Sequence, residues 1–394
     1  MQVAAFSAGR VFSSPYLGRW SETLGYRKIL SWSSLVIVTG TLLNAFARNC
    51  LWLIVAQVVM GIGSGTLGVT RSFVSERTSG NERTYKMARL TAVQYTGFTV
   101  TPFIGSCLSY LLGDADYMIG PFRVTSYTCA AYFLTVLGSI CWFALNTCFV
   151  DYVPVRDRPT GLSSESSKVN LAGVPTDGPL ASAKKREDMD FRSVNEWTEV
   201  DWCIFAGLLL NVATKGSVGV FETMGIPIAI AHFDVSNTVA GYTVSACGAV
   251  GVFALAFLMK PLVERFHDTK LMAGGVFVMI LSCVLMRNYS TDGSPGSQWQ
   301  YFLAIFTMYA SGYPIGHTAV LTWYSKLSKQ AAQGFLQGWF GSAGSVGRIV
   351  LPAISGIISE YYGDNTLFIC LGLFVGCTWV AIVVYYERFT RLTK

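Results

Sequence analysis

Hydrophobic residues run through this chain in long blocks rather than in alternation, and short charged segments separate the blocks. About 20 apolar residues in helical conformation cross a hydrocarbon core roughly 30 Å thick. Eleven stretches approach or exceed that length: residues 1–17, 29–47, 51–73, 88–112, 126–149, 202–228, 238–259, 271–287, 299–324, 334–358 and 367–386. Each predicts a spanning helix, because a helix satisfies its own backbone inside lipid. Residues 150–200 break the rhythm. They are rich in Ser, Pro, Gly, Lys and Asp, and read as a disordered cytosolic linker. The expected fold is all-α and polytopic, with an N-terminal bundle over 1–149 and a C-terminal six-helix bundle over 201–394.

Composition agrees with the pattern. Of 394 residues, 52% are hydrophobic and only 13% charged, which excludes an ordinary soluble domain. The ten cysteines fall almost entirely inside apolar blocks, without C-x-x-C or metal-ligand spacing, and read as packing residues. No metal, cofactor or nucleic-acid partner is expected, and no nucleophile–base constellation suggests an enzyme. The expected partners are the bilayer and a small solute or ion, with the chain acting as a monomer.

Placement of charge gives orientation. Of 29 Lys and Arg residues, 22 lie in 18–28, 74–89, 150–200, 260–270, 325–330 and the C-terminus, whereas the alternate connections hold only Arg48, Arg123 and Arg287. This bias puts the 18–28 loop and the C-terminus in the cytosol. The sequon at Asn288, Tyr289 and Ser290 then lies on the opposite side.

The chain also repeats itself. The segment K-P-L-V-E-R-F-H-D-T-K-L-M at 260–272 is a worn copy of the 18–30 loop, with Glu264 in the place of Glu22 and Lys270 in that of Lys28. Gly97, Pro102 and Gly105 have the spacing of Gly347, Pro352 and Ser355. The copies are offset by one helix between the two halves, so symmetry predicts a further helix before Met1.

Four basic residues, Arg10, Arg71, Lys215 and Arg348, fall inside apolar blocks, as do Glu222 and His317. A charge at bilayer depth costs at least about 2.5–3.5 kcal/mol, so such residues mark functional sites or lock helices together. Lys215 and Glu222 lie seven residues apart on one helix face, about 10 Å, too far to pair directly. Each needs another partner; one bland arrangement pairs Glu222 with Arg348. Arg348, Lys215 and Arg10 against one acid make a net positive interior that favours anions, with Glu222 available to couple or gate. Gly225 and Pro227 are expected to break that helix. Pro102 and Pro352, flanked by glycines, predict kinks with close helix packing. The G-x-G-x-x-G spelled by 63–68 has no preceding strand and is rejected as a nucleotide motif.

The segment G-R-W-S-E-T-L-G-Y-R-K-I-L at 18–30 resembles the signature loop of the major facilitator superfamily of secondary transporters. In that reading Gly18, Glu22, Gly25, Arg27 and Lys28 form a conformational gate, with Arg71 as partner of Glu22 and with Pro102 and Pro352 as hinges. Thr70–Thr78, the run Gln94–Pro102, Phe221–Thr223, Gly312–Pro314 and Gln337–Pro352 are similar to the branch of lysosomal facilitators linked to neuronal ceroid lipofuscinosis. This resemblance implies two pseudo-symmetric bundles, an endolysosomal or vacuolar membrane, and movement of a small anion. The substrate-binding candidates are Arg348, Lys215, Arg10, Glu222, Gln94 and His317. An anion channel and a non-transporting scaffold or truncated product remain alternatives.

Overall fold

The computed structural model describes residues 2–78, 80–113, 116–119, 122–149, 198–233, 235–287, 295–327 and 333–392. The linker expected over 150–200 and the sequon at Asn288 therefore lie outside the described residues, apart from the linker's last three positions.

The first two helices, α1 (Gln2–Leu24) and α2 (Tyr26–Ala45), are joined by Gly25 alone. Its φ of 90° lies where a side chain is disfavoured, so a one-residue reversal here requires glycine. Helix α3 (Cys50–Gly63) starts under the Asn49 side chain, which accepts the Trp52 N–H, and after two residues continues as α4 (Thr66–Arg77). A long α5 (Gly80–Leu112) leads into a hairpin of β1 (Tyr117–Ile119) and β2 (Phe122–Val124), antiparallel with Tyr117 opposite Val124. This hairpin is a short connection within an otherwise all-α fold. Helix α6 (Ser126–Cys148) opens with a capping box between Thr125 and Thr128.

In the second half, α7 (Glu199–Phe233) is followed by α8 (Asn237–Phe253), which passes through a π turn (Ala254–Leu258) into α9 (Met259–Arg265). Then come α10 (Asp268–Leu285) and α11 (Pro295–Phe306), the latter joined by a second π turn (Thr307–Gly312) to α12 (Tyr313–Leu327). Helix α13 (Gln333–Val384) is broken at Gly363, φ 82°, and α14 (Tyr386–Arg391) ends the described chain. Counting α3–α4, α8–α9 and α11–α12 as single crossings and α13 as two gives eleven among the described residues. Seven helical segments are long and apolar enough to span on composition alone. α1, α5 and α11–α12 are not among them, and these bring Arg10, Gln94 and His317 into the interior.

Packing centres on α13, against which α1, α4, α7 and α10 all lie. α2 packs on α3 and α6, α5 runs along α8, and α10 packs on α12. The two halves of the sequence therefore meet along two seams, α1 and α4 against α13, and α5 against α8. Lipid is as apolar as the side chains, so close approach rather than hydrophobic exclusion holds such helices together. A Cβ at Gly18 would lie 2.1 Å from the Gly334 carbonyl oxygen, which shows how tightly α1 crosses α13. Phe12, Val136, Phe143, Phe257 and Leu373 point outward, as a lipid-facing surface demands.

Candidate transport site

Glu222, on α7, and Arg348, on α13, form an ion pair through Oε2 and Nη2. Both are mostly buried, with side chains 16% and 25% exposed. The bland pairing is thus present, although Arg348 Nε has no hydrogen-bond partner. Lys215, two turns nearer the cytosol on α7, is buried beside Asn211 and Gly344 and within electrostatic range of Arg10, Arg71, Arg348 and Glu222. Arg10 and Arg71 are buried as well; Arg71 Nη2 reaches Gln94 Oε1 at 3.5 Å, and its guanidinium lies 5.9 Å from the centre of the Phe340 ring. His317 is stacked between Tyr313, 5.0 Å away, and Phe340, 6.2 Å away, with Nδ1 3.3 Å from Thr214 Oγ1. All six substrate-binding candidates therefore fall in one region.

Beside the ion pair, on the non-cytosolic side, is a cavity of about 180 Å³. Phe98, Phe221, Val244, Tyr301 and Tyr309 line it, and Glu222 supplies its charged wall. The Tyr301 hydroxyl donates to the Gly225 carbonyl, and α7 continues through Pro227 to Phe233. This corrects the expected break: Pro227 is accommodated inside a continuous helix.

At the cytosolic ends the halves are tied directly. Glu22 Oε1 accepts the N–H groups of Gly334 at 2.7 Å and Phe335 at 3.3 Å, in the first turn of α13. Unpaired N–H groups and the helix dipole both favour a carboxylate there. Ser75 donates to Gln333 at 3.0 Å, and Arg83 of α5 donates to the carbonyl of Ser325 on α12 at 2.9 Å. Asp268 accepts from Thr84 at 3.3 Å and from Lys326 at 2.5 Å. Arg27 donates to the Asn146 carbonyl at the end of α6, and Lys28 is exposed.

The anticipated Glu22–Arg71 bond is not formed. Arg71 lies about 9 Å inside the end of α4 and bonds Gln94. The glycine–proline motif also divides. A Cβ at Gly97 or Gly105 would touch nothing, so α5 meets α8 through Thr99 and Ser106, opposite Gly248 and Gly241, rather than through these glycines. Gly347, in contrast, lies against Val212 and Pro352 against Gly219. Gly61, just before the glycine run 63–68, presses on the Phe6 carbonyl, and Gly68 on Gln337; the run packs helices.

Several residues of the site were not anticipated: Asn211, Tyr313, Gln337 and Phe340. Tyr313 lies within electrostatic range of Arg348, Glu222, Arg71 and Arg10. Asn211 donates to the Phe340 carbonyl. Helical spacing puts Asn211 on the face of Lys215 and Tyr313 on that of His317, but it does not by itself single them out.

The family model of the Major Facilitator Superfamily matches residues 1–224 and 204–392. The chain belongs to the Major Facilitator Superfamily. This facilitator is accordingly a multi-pass integral membrane protein and a transporter, not an enzyme. It is 24% identical to Major facilitator superfamily domain-containing protein 8 of Xenopus laevis, the match covering 98% of the chain and 83% of that protein. It is 21% identical to the class H tetracycline resistance protein of Pasteurella multocida over 98% of the chain and 86% of that protein. Among solved structures it is similar to the human organic anion transporter MFSD10 (TETRAN), with a TM-score of 0.72 and 14% identity, over 97% of the facilitator and 82% of that chain.

Proposed function

We propose that the facilitator carries a small anion by alternating access between two bundles, 1–149 and 201–394. The observation that carries this reading is the buried cluster of Arg10, Arg71, Lys215 and Arg348, among which Glu222 is the acidic member. Burying that much like charge is costly unless a partner of opposite sign visits. Arg348, Lys215 and Arg10 attract the substrate, Gln94 and His317 complete its surroundings, and Glu222 competes with it for Arg348, which couples or gates movement. Gly18, Glu22, Gly25, Arg27 and Lys28 form the cytosolic gate, with Pro102 and Pro352 as hinge positions. The likeness to a human organic anion transporter supports the anion, and the resemblance to lysosomal facilitators supports an endolysosomal or vacuolar membrane.

Uptake of labelled anions into vesicles reconstituted with the full chain tests the proposal. Arg348→Gln should abolish saturable uptake while leaving expression intact; unchanged uptake by that variant would refute the assignment. Saturation also separates a carrier from a channel, whose current would rise linearly with voltage.

A further inference from the structure

The charges in the interior are unequally answered. Arg348 has Glu222. Arg10, 6% exposed, has neither Nε nor Nη2 in a hydrogen bond, and Arg71, 2% exposed, has neither Nε nor Nη1. Ser14 Oγ and both amide atoms of Gln337 are likewise buried without a partner. In folded proteins such groups nearly always find one, so these seven atoms on four converging side chains call for a ligand.

These groups do converge. Ser14 follows Arg10 by four residues on α1 and so shares its face. A Cβ on Gly341, four residues after Gln337 on α13, would lie 3.2 Å from Ser14 Oγ, and one on Gly68 of α4 would lie 3.1 Å from the backbone carbonyl of Gln337. Arg71, three residues beyond Gly68, places its guanidinium over Phe340 of the same α13 turn. Arg10 feels the charge of Arg71 directly. The donors thus gather where α1, α4 and α13 meet, to the cytosolic side of the cavity.

Building on the anion reading above, we propose that the substrate is a doubly charged oxyanion held by Arg10 and Arg71. Two guanidinium groups, with Lys215 nearby, leave one negative charge insufficient. The free Nε and Nη2 of Arg10 form the side-on fork that matches two oxygens of a carboxylate or phosphate, a geometry that a spherical halide does not use. Ser14 and the Gln337 amide can donate to further oxygens. Because α1 and α4 belong to the first half of the chain and α13 to the second, a bound dianion bridges the seam. It therefore stabilises the closed cytosolic side until Glu22 lets go of α13.

The test uses the purified full chain at constant ionic strength, with inorganic phosphate and succinate as dianion probes and chloride and acetate as monovalent ones. Phosphate or succinate should raise the melting temperature saturably, and chloride and acetate should not; whichever dianion acts assigns phosphate-type or carboxylate-type chemistry. Arg10→Lys keeps the charge but loses the fork, and should bind the active dianion about tenfold more weakly. Its melting temperature without anion reports whether the variant is folded, and the probe comparison on the unaltered protein stands whether or not it is. Equal stabilisation by chloride or acetate, or wild-type affinity in a folded Arg10→Lys, overturns the inference. Uptake of chloride or acetate that Arg348→Gln abolishes, with no dianion effect, sinks this inference and leaves the anion reading intact. Failure of every anion to bind or be taken up sinks both.

Discussion

Glu222 and Arg348 hold each other at a depth where neither charge is cheap to bury alone. Removing one partner of a buried pair strands the other and costs about 3–5 kcal/mol, whereas removing both can be nearly neutral. Arg348→Gln and Glu222→Gln should each lower the melting temperature of the purified protein, and the double variant should recover most of the loss. A double variant no more stable than the worse single one would mean that the pair does not share its energy. At this scale the sequence was informative about charge and poor about partners. Arg10, Lys215, Glu222 and Arg348 stand out because ionisable residues are rare among apolar ones. Tyr313, Asn211 and Gln337 do not, because their types are common in membrane helices and only the crossing of α1, α7, α12 and α13 gives them meaning. Arg71 was misjudged for the same reason: its position along α4 was readable, but its rotation toward Gln94 was not.

Among the elements, α1 lies especially close to the start of α13. The Gly18–Gly334 approach leaves no room for a methyl group, and Glu22 then reaches two N–H groups of α13. Hydrogen bonds to a charged group contribute about 1.5–3 kcal/mol each, so Glu22→Ala should shift the population away from the closed cytosolic side. A cysteine introduced at Ser14, which is fully buried, should then react faster with a membrane-impermeant thiol reagent added from the cytosol in a cysteine-depleted background. No change in rate would show that Glu22 does not hold the gate. Gly25→Ala acts differently, because it strains the one-residue reversal by about 1–2 kcal/mol and should lower stability without selectively exposing Ser14. Helix positions were legible because apolar length is a strong signal. The β1–β2 hairpin was not, since three-residue strands carry no periodicity. The continuity of α7 through Pro227 was also hidden, since proline inside lipid is tolerated when neighbours satisfy the freed backbone.

For the whole molecule, the ties through Glu22, Arg83, Ser75 and Asp268 all sit at cytosolic ends, while the cavity lies on the other side of the Glu222–Arg348 pair. This arrangement suits a carrier resting with its non-cytosolic side accessible. A cysteine replacing Val244, in the cavity wall, should be labelled from the non-cytosolic side and protected from reagent on the cytosolic side; the reverse pattern would rule out this resting state. The family and the crossings could be read from hydropathy, charge bias and the 18–30 loop. The seams could not, because they depend on which small residues face one another from distant parts of the chain, as Gly18 faces Gly334 and Gly248 faces Thr99.

The π turn at Thr307–Gly312 has its own consequence. Such a turn accommodates one residue more than ordinary α winding, and each residue advances a helix by about 100°. The wider winding absorbs that surplus, so everything beyond it on α12, including Tyr313 and His317, keeps the azimuth of a regular helix one residue shorter. Excising a single residue within the turn would therefore relax the coil into regular form and leave the Tyr313–His317 stack against Phe340. The same excision from the regular winding of α11 would have no slack to draw on and would rotate the stack toward the wrong neighbour.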